Sequence, residues 1–196
     1  MIRLGVTGGI GSGKTSVCNV FGVLGIPVFS ADAEAKRVME VDTGIILKLN
    51  AIAGRDLYTA GTLDRSALAK LIFNNRSMLE KVNSVVHPAV FSRFNEWAKK
   101  QSAPYIIMEA AILFESGGWK MVDRIVSVTA PVEERIARVI RRSNITKEEV
   151  MERMQNQTSD SDKIKRSDYV VDNSENEMII PAILNIHSDI LKTVKK

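Results

Sequence analysis

The stretch Gly8-Gly9-Ile10-Gly11-Ser12-Gly13-Lys14-Thr15 constrains this chain more than any other. It sets four glycines within six residues, with a lysine and a threonine directly after them. Before it, Ile2-Arg3-Leu4-Gly5-Val6-Thr7 predicts a short buried strand. After it, a helical pattern runs from about Gly13 to Phe21, with Gly22 and Gly25 marking its end. Strand, glycine loop and helix in that order match G-x-x-x-x-G-K-[ST]. Glycines let the loop curl so that successive backbone N–H groups point at one anion, and the helix adds its positive N-terminal end. Gly8 to Thr15 and the following Ser16 are therefore assigned to nucleotide phosphates. Lys14 reaches the β and γ phosphates and the Thr15 hydroxyl is placed to bind Mg²⁺.

Periodicity beyond the loop predicts short apolar strands alternating with helices. Strands are expected at Pro27–Phe29, Tyr105–Met108, Arg124–Val128 and Tyr169–Val171. Helices are expected over Ala31 to about Ala53, Ser66–Phe73, Ser77–Val86, a further one opened by Pro88 and ending near Lys100, one opened by Pro131, and Met178–Leu191. Thr146 and Glu149 form a capping-box pair at another helix start. Gly54–Gly61 and Gly117-Gly118 read as loops, and Asp160–Lys165 as a polar, mobile segment. The expected fold is α/β, a P-loop NTPase-type three-layer architecture with a central parallel sheet of about five strands. The core takes 1–30, 102–139 and 168–196, a helical substrate-binding lobe takes 31–101, and a lid takes 140–167.

Composition adds bounds. The chain has 196 residues, 45% hydrophobic and 26% charged, as expected of an ordinary soluble globular protein. No apolar run approaches the roughly 20 residues that span a bilayer, and no signal peptide is expected. Cys18 is the one cysteine, so no internal disulfide can form, which fits a reducing cytoplasm. A net charge of +4 suggests anionic partners without choosing among nucleotides, phosphorylated metabolites and nucleic acid.

A P-loop alone leaves the reaction open among kinases, GTPases, motors and transporters. No N-K-x-D segment is found to read guanine, and the chain is short for a motor, which favours a small-molecule kinase. Such an enzyme needs an acceptor base, a metal-side acid and a cationic lid. Asp32, directly after the second strand, can take the proton of an attacking hydroxyl or cap a helix. Glu109, ending an apolar strand, has the Walker-B arrangement for Mg²⁺, or is a solvated carboxylate. Arg135, Arg138 and Arg142 share a helix face at i, i+3, i+7 and can clamp phosphate or form a solvated basic face, while Arg141 points elsewhere. Lys36 and Arg37 can meet a pyrophosphate or simply solvate a helix. Asp172-Asn173, after the last strand, can border a base or make a simple turn. Water competes with any acceptor hydroxyl, so residues 140–167 are expected to close on ATP binding.

Several segments together resemble the dephospho-CoA kinase family: LGVTGGIGSGKTSV, FSADAEAK, GTLDRSALAKLIF, VVHPAV, EAAILFE, RIARVIRRSNIT and SDYVVDN, in order along nearly the whole chain. The resemblance implies transfer of the ATP γ-phosphate to the ribose 3′-hydroxyl of dephospho-CoA, with Mg²⁺, as the last step of coenzyme A synthesis. It implies Asp32 as the base, matching the second aspartate of an Asp-Ala-Asp motif whose first position here is Ser30. It makes Lys14 and the lid arginine Arg142 catalytic, with Arg138 and Asn173 on the nucleotide. Thr7, Asp32, His87 and Leu113 are expected on the acceptor, and Thr15 and Glu109 on the metal, with Glu109 standing where the family usually has aspartate followed by proline. Glu115 is assigned a structural or lobe role. The expected partner is dephospho-CoA, with no nucleic acid and no membrane, in a cytoplasmic protein leaning to monomer. Another small-molecule kinase, or a nucleic-acid-linked ATPase supported only by the basic charge, are the competing readings.

Overall fold

Runs such as Tyr105-Ile106-Ile107-Met108, in which all four side chains are fully buried, cannot tolerate water on either face. They form the middle of a parallel sheet, the arrangement that covers strands on both sides. The structure, a computed structural model, describes residues 1–73, 75–143 and 145–194. Asn144, inside the expected lid, and residues 195–196 lie outside the described residues.

The described chain divides into two compact units, residues 1–30 with 100–196, and residues 31–99. In the first, β1 (Ile2–Thr7) is followed by α1 (Lys14–Val23) and β2 (Val28–Ser30). The second unit holds α2 (Ala31–Val41), α3 (Thr43–Ala53), β3 (Tyr58–Thr59), β4 (Thr62–Leu63), α4 (Arg65–Ile72) and α5 (Arg76–Ala98). The chain then returns to the first unit with β5 (Tyr105–Glu109), a 3₁₀ turn (Gly118–Met121), β6 (Arg124–Thr129), α6 (Val132–Ser143), α7 (Lys147–Gln155), α8 (Asp160–Lys165), β7 (Tyr169–Asp172) and α9 (Ile179–Val194). The strand order in the main sheet is β2-β5-β1-β6-β7, all parallel.

Alternation along the strands separates the two faces. Leu4, Val6, Tyr105, Ile107, Val126 and Val128 pack with Val17 and Phe21 of α1 and with Ile183, Ile186 and Ile190 of α9. Gly5 faces the other way, where an added Cβ would lie 2.8 Å from Leu113. The β-carbon is missing where the 110–122 segment presses on the sheet, so glycine is a packing requirement there. β1 lies between β5 and β6, and the glycine loop leaves its carboxyl end, which is where open α/β sheets bind ligands.

The strand expectations hold to within about two residues. Four local expectations are corrected. The helical stretch from Ala31 breaks at Asp42, whose extended backbone (φ −89°, ψ 107°) lets its carboxylate accept from Gly44 N and Ile45 N and cap α3. Gly54–Gly61 contains part of a hairpin, β3 against β4, because Ala60 and Gly61 both take positive φ (50° and 79°), the pattern of a tight type I′ turn. Pro88 does not open a helix but lies inside α5, which runs 23 residues. Proline removes one backbone donor, and the apolar stripe Val82, Val86, Val90, Phe94 continues across it at i+4 spacing, so burial outweighs the missing bond. Asp160–Lys165 is helix α8, capped by the Ser159 hydroxyl accepting from Asp162 N. The Thr146–Glu149 capping box is formed in both directions.

If Asp42 is what separates α2 from α3, Asp42→Ala should destabilise the protein by about 1 kcal/mol. Urea unfolding checks this, with an unchanged midpoint counting against the cap.

Candidate functional site

The glycine loop is gripped from outside by side chains that touch its backbone. Arg135, 3% exposed on α6, donates from Nε to the carbonyl of Ile10 at 2.9 Å and pairs with Asp160 of α8. The Ile10 N–H donates to Oε1 of Gln157 at 2.9 Å. Asn173 donates from Nδ2 to the carbonyl of Ser12 at 2.8 Å, and its own N–H donates to Thr129 O. The grips of Arg135 and Asn173 each need a bare glycine beneath them. A Cβ on Gly9 would lie 2.0 Å from the Arg135 guanidinium, and one on Gly13 would lie 1.9 Å from Asn173 Nδ2. Gly11 and Gly13 also take φ of 79° and 89°, which only glycine adopts without strain.

Gly13 precedes α1 without any side-chain cap hydrogen bond, which leaves the start of the helix able to receive an anion. Lys14, 9% exposed, turns its Nζ back to the Gly8 carbonyl at 3.1 Å and stands over the loop it closes. Thr15 and Ser16 are exposed in the first turn of α1. Thr7 Oγ1, Ser12 Oγ and Ser127 Oγ are buried with no hydrogen-bond partner among the described residues. Thr7, the last residue of β1, is the register partner of Ser127 of β6. Polar atoms left unmatched beside a loop of this shape suit a ligand rich in oxygen.

At the next strand end, Ser30 Oγ donates to Glu109 Oε2 at 2.8 Å. Both positions depart from the pattern of the family that the sequence resembles, and they are in contact. A serine can donate to the carboxylate, as an ionised aspartate cannot. Glu109 and Lys14 also flank Cys18 behind the loop. Burial, then the Glu109 charge, push the Cys18 thiol up to about 12, partly offset by Lys14. The donor set suits a hard cation: a hydroxyl at Thr15 and a carboxylate at Glu109, with other positions left to phosphates and water, as Mg²⁺ prefers. No group of three or more His, Cys, Asp or Glu able to hold a metal occurs among the described residues.

The remaining expected residues are placed as follows. Leu113 is fully buried, packed against Gly5 and Gly118. Arg138 is half-buried, donates to Glu134 at 2.9 Å, and keeps Nη1 buried without a partner among the described residues. Arg142 and Arg141 are exposed in the last turn of α6. Arg135, assigned with these to a phosphate clamp or a solvated face, instead holds the loop itself. Glu115 is structural: it accepts from Thr158 N at 2.6 Å and lies 3.7 Å from Lys163 Nζ. In the second unit, Asp32 is half-buried in the first turn of α2, beyond the helix start at Ala31 and so not its cap. His87 is half-buried on α5 beside Phe91, with its ring centroid at 6.3 Å, and burial lowers its pKa. Lys36 is exposed and Arg37 pairs with Glu34 at 3.6 Å.

Sequence reading missed Gln157, Asp160 and Lys163. Glutamine carries no motif, and the charges of 160–165 read as a polar, mobile segment because their partners lie far away in sequence.

A family model described as dephospho-CoA kinase matches residues 2–178. A dephospho-CoA kinase of Bacteroides fragilis is 39% identical over 186 residues, which is 94% of this chain and 91% of that protein. One of Salinibacter ruber is 40% identical over 177 residues, 88% of this chain and 89% of that protein. A crystal structure of a Thermus thermophilus protein superposes with a TM-score of 0.86 at 34% identity, covering 96% of each chain.

Two outcomes are expected. Gly13→Ala should remove ADP binding and lower the melting temperature, since the new methyl strains a left-handed residue and displaces Asn173. A thermal melt with and without ADP reads both, and retained binding would sink the clasp. Cys18 in the folded protein at pH 8 should react with iodoacetamide on the order of a thousandfold slower than in the urea-unfolded chain, its thiol being both buried and neutral. Equal rates would show the loop to be open from behind.

Proposed function

The chain belongs to the dephospho-CoA kinase family, and from that premise we propose that it transfers the ATP γ-phosphate to the ribose 3′-hydroxyl of dephospho-CoA. The products are coenzyme A and ADP. The observation that carries this reading is the pairing of a gripped P-loop, with Lys14 folded over it, with an acid at the end of β5, in register with Val6 of the same β1 strand.

Each residue then has a physical task. Backbone N–H groups of the loop and the N-terminus of α1 hold the β and γ phosphates. Lys14 neutralises charge between them. Thr15 and Glu109 would hold Mg²⁺, which when bound screens the phosphate oxygens from the incoming hydroxyl. Asp32 takes the proton of the 3′-hydroxyl, that oxygen bonds to the γ-phosphorus, and the bond from phosphorus to the β–γ bridging oxygen breaks. ADP leaves with the electron pair. Arg138 and Arg142 balance the charge on the transferring group. The buried, unpaired Nη1 of Arg138 supports its assignment, since an unmatched donor there is satisfied by a phosphate oxygen. Asn173 borders the nucleotide. Thr7, His87 and Leu113 are assigned to the acceptor side, Leu113 through its backbone because its side chain is buried.

Residues 31–101 serve as the acceptor lobe and the lid lies within 140–167. Gln157, Asp160 and Lys163 are bonded to the loops of the site, so the part of the lid that closes is the α7 side. Closure excludes water, which would otherwise take the phosphate. The reading places the protein in the cytoplasm, where ATP and the thiol product are kept; no helix among the described residues is long and apolar enough to cross a membrane.

A coupled ADP-release assay with Mg·ATP, with and without dephospho-CoA, tests the acceptor, with the product identified by mass. Coenzyme A is the expected product, and turnover without it would overturn the reading. Asp32→Asn should then lower kcat by about 10²–10⁴-fold with little change in the KM for ATP, as expected for loss of a general base.

A further inference from the structure

We infer that Lys163 is a positioning residue that ties the nucleotide loop to the strand-end acid Glu109 through helix α8. Lys163 is 1% exposed, and a buried ammonium is costly unless its partners hold still. Its Nζ donates to the carbonyl of Ala111 at 3.4 Å and lies 3.7 Å from Glu115 Oε1. Burial lowers its pKa, while Glu115 and Asp160 raise it. Ala111 stands two residues beyond Glu109, and the intervening Ala110 N–H donates to Val6 O at 3.0 Å. The backbone that carries Glu109 is thus fastened from β1 on one side and from α8 on the other.

The same helix holds the nucleotide loop. Asp160, three residues before Lys163 and so on the same helix face, accepts from Arg135, whose Nε bonds Ile10 O. Glu115 closes the circuit by accepting from Thr158 N just ahead of α8. Two buried cations, Arg135 of α6 and Lys163 of α8, each face a carboxylate from another element, Asp160 of α8 and Glu115 of the segment after β5. A shift of the segment after β5 against α8 would leave Lys163 without Glu115, and a shift of α6 against α8 would leave Arg135 without Asp160. The two salt bridges, with the bonds of Arg135 to Ile10 O and of Lys163 to Ala111 O, therefore couple the position of the phosphate-binding backbone to that of the acid, whose separation metal coordination requires to be constant. Lys163 bonds the Ala111 carbonyl and not the Glu109 carboxylate, so the lysine acts through Ala111 and is no catalytic group.

The inference rests on the proposed role of Glu109 toward Mg²⁺, and its test does not need the acceptor. ADP binding to the full chain is measured by calorimetry, once with EDTA and once with Mg²⁺. Lys163→Met is expected to weaken ADP binding about tenfold or more in Mg²⁺, as for loss of a group that orients a metal ligand. Binding in EDTA should change less than about threefold, because Arg135, Gln157 and Asn173 still grip the loop. Lys163→Arg should restore the Mg²⁺ value. Glu115→Gln, which can still accept from Thr158 N, should weaken Mg²⁺ binding in the same direction and carries the test if Lys163→Met does not fold. Equal weakening in both conditions would reduce Lys163 to general support and overturn the inference. So would no change in either, or wild-type binding that ignores Mg²⁺. Failure of wild type to make coenzyme A would sink the acceptor reading and leave this comparison standing.

Discussion

The bond from Arg135 to the Ile10 carbonyl is the interaction on which the rest of the site depends. A loop with this many glycines has large conformational entropy, and an anion-binding hollow is useful only if its N–H groups already converge. Here the ordering comes from three side chains, Arg135, Gln157 and Asn173, that bond carbonyls or amides of the loop from α6, the 157 segment and the end of β7. The glycines matter twice: for left-handed φ at Gly11 and Gly13, and for the bare surface that lets the gripping side chains close in.

Preorganisation of this kind explains the buried charge of Arg135 and Lys163. Arg135 and Lys163 lie in the interior of the first unit, and each is matched by a carboxylate. Buried pairs contribute little net stability, but they penalise any displacement of one partner. Their value is geometric. Ser30 and Glu109 follow the same logic at smaller scale, a hydroxyl donating to a carboxylate so that the longer acid is held in one orientation.

Much of this was legible in the sequence. The strand–loop–helix order around Gly8–Lys14 identified the fold class, and the apolar runs at 105–108 and 124–128 located the central strands, because buried parallel strands leave a continuous hydrophobic signal. The capping box at Thr146 and Glu149 was equally plain, since its partners are three residues apart. The break at Asp42 was hidden because apolar spacing runs on through it and only the capping geometry shows the stop. Pro88 misled for the opposite reason: a local rule for helix starts was overridden by a buried stripe that continues past it.

The sequence by itself determined the phosphate-binding loop, the family and the strands, because each rests on short segments of adjacent residues. Only the tertiary structure decided what the charged residues do. Arg135 and Arg142 stand seven positions apart on one helix and read alike, yet one is buried as the anchor of the loop and the other is exposed. Lys163 and Asp160 read as part of a polar, mobile segment and prove to be bonded to partners 52 and 25 residues away. A charge acquires its role from what faces it and how much water remains, and both are set by packing between elements that no local pattern records.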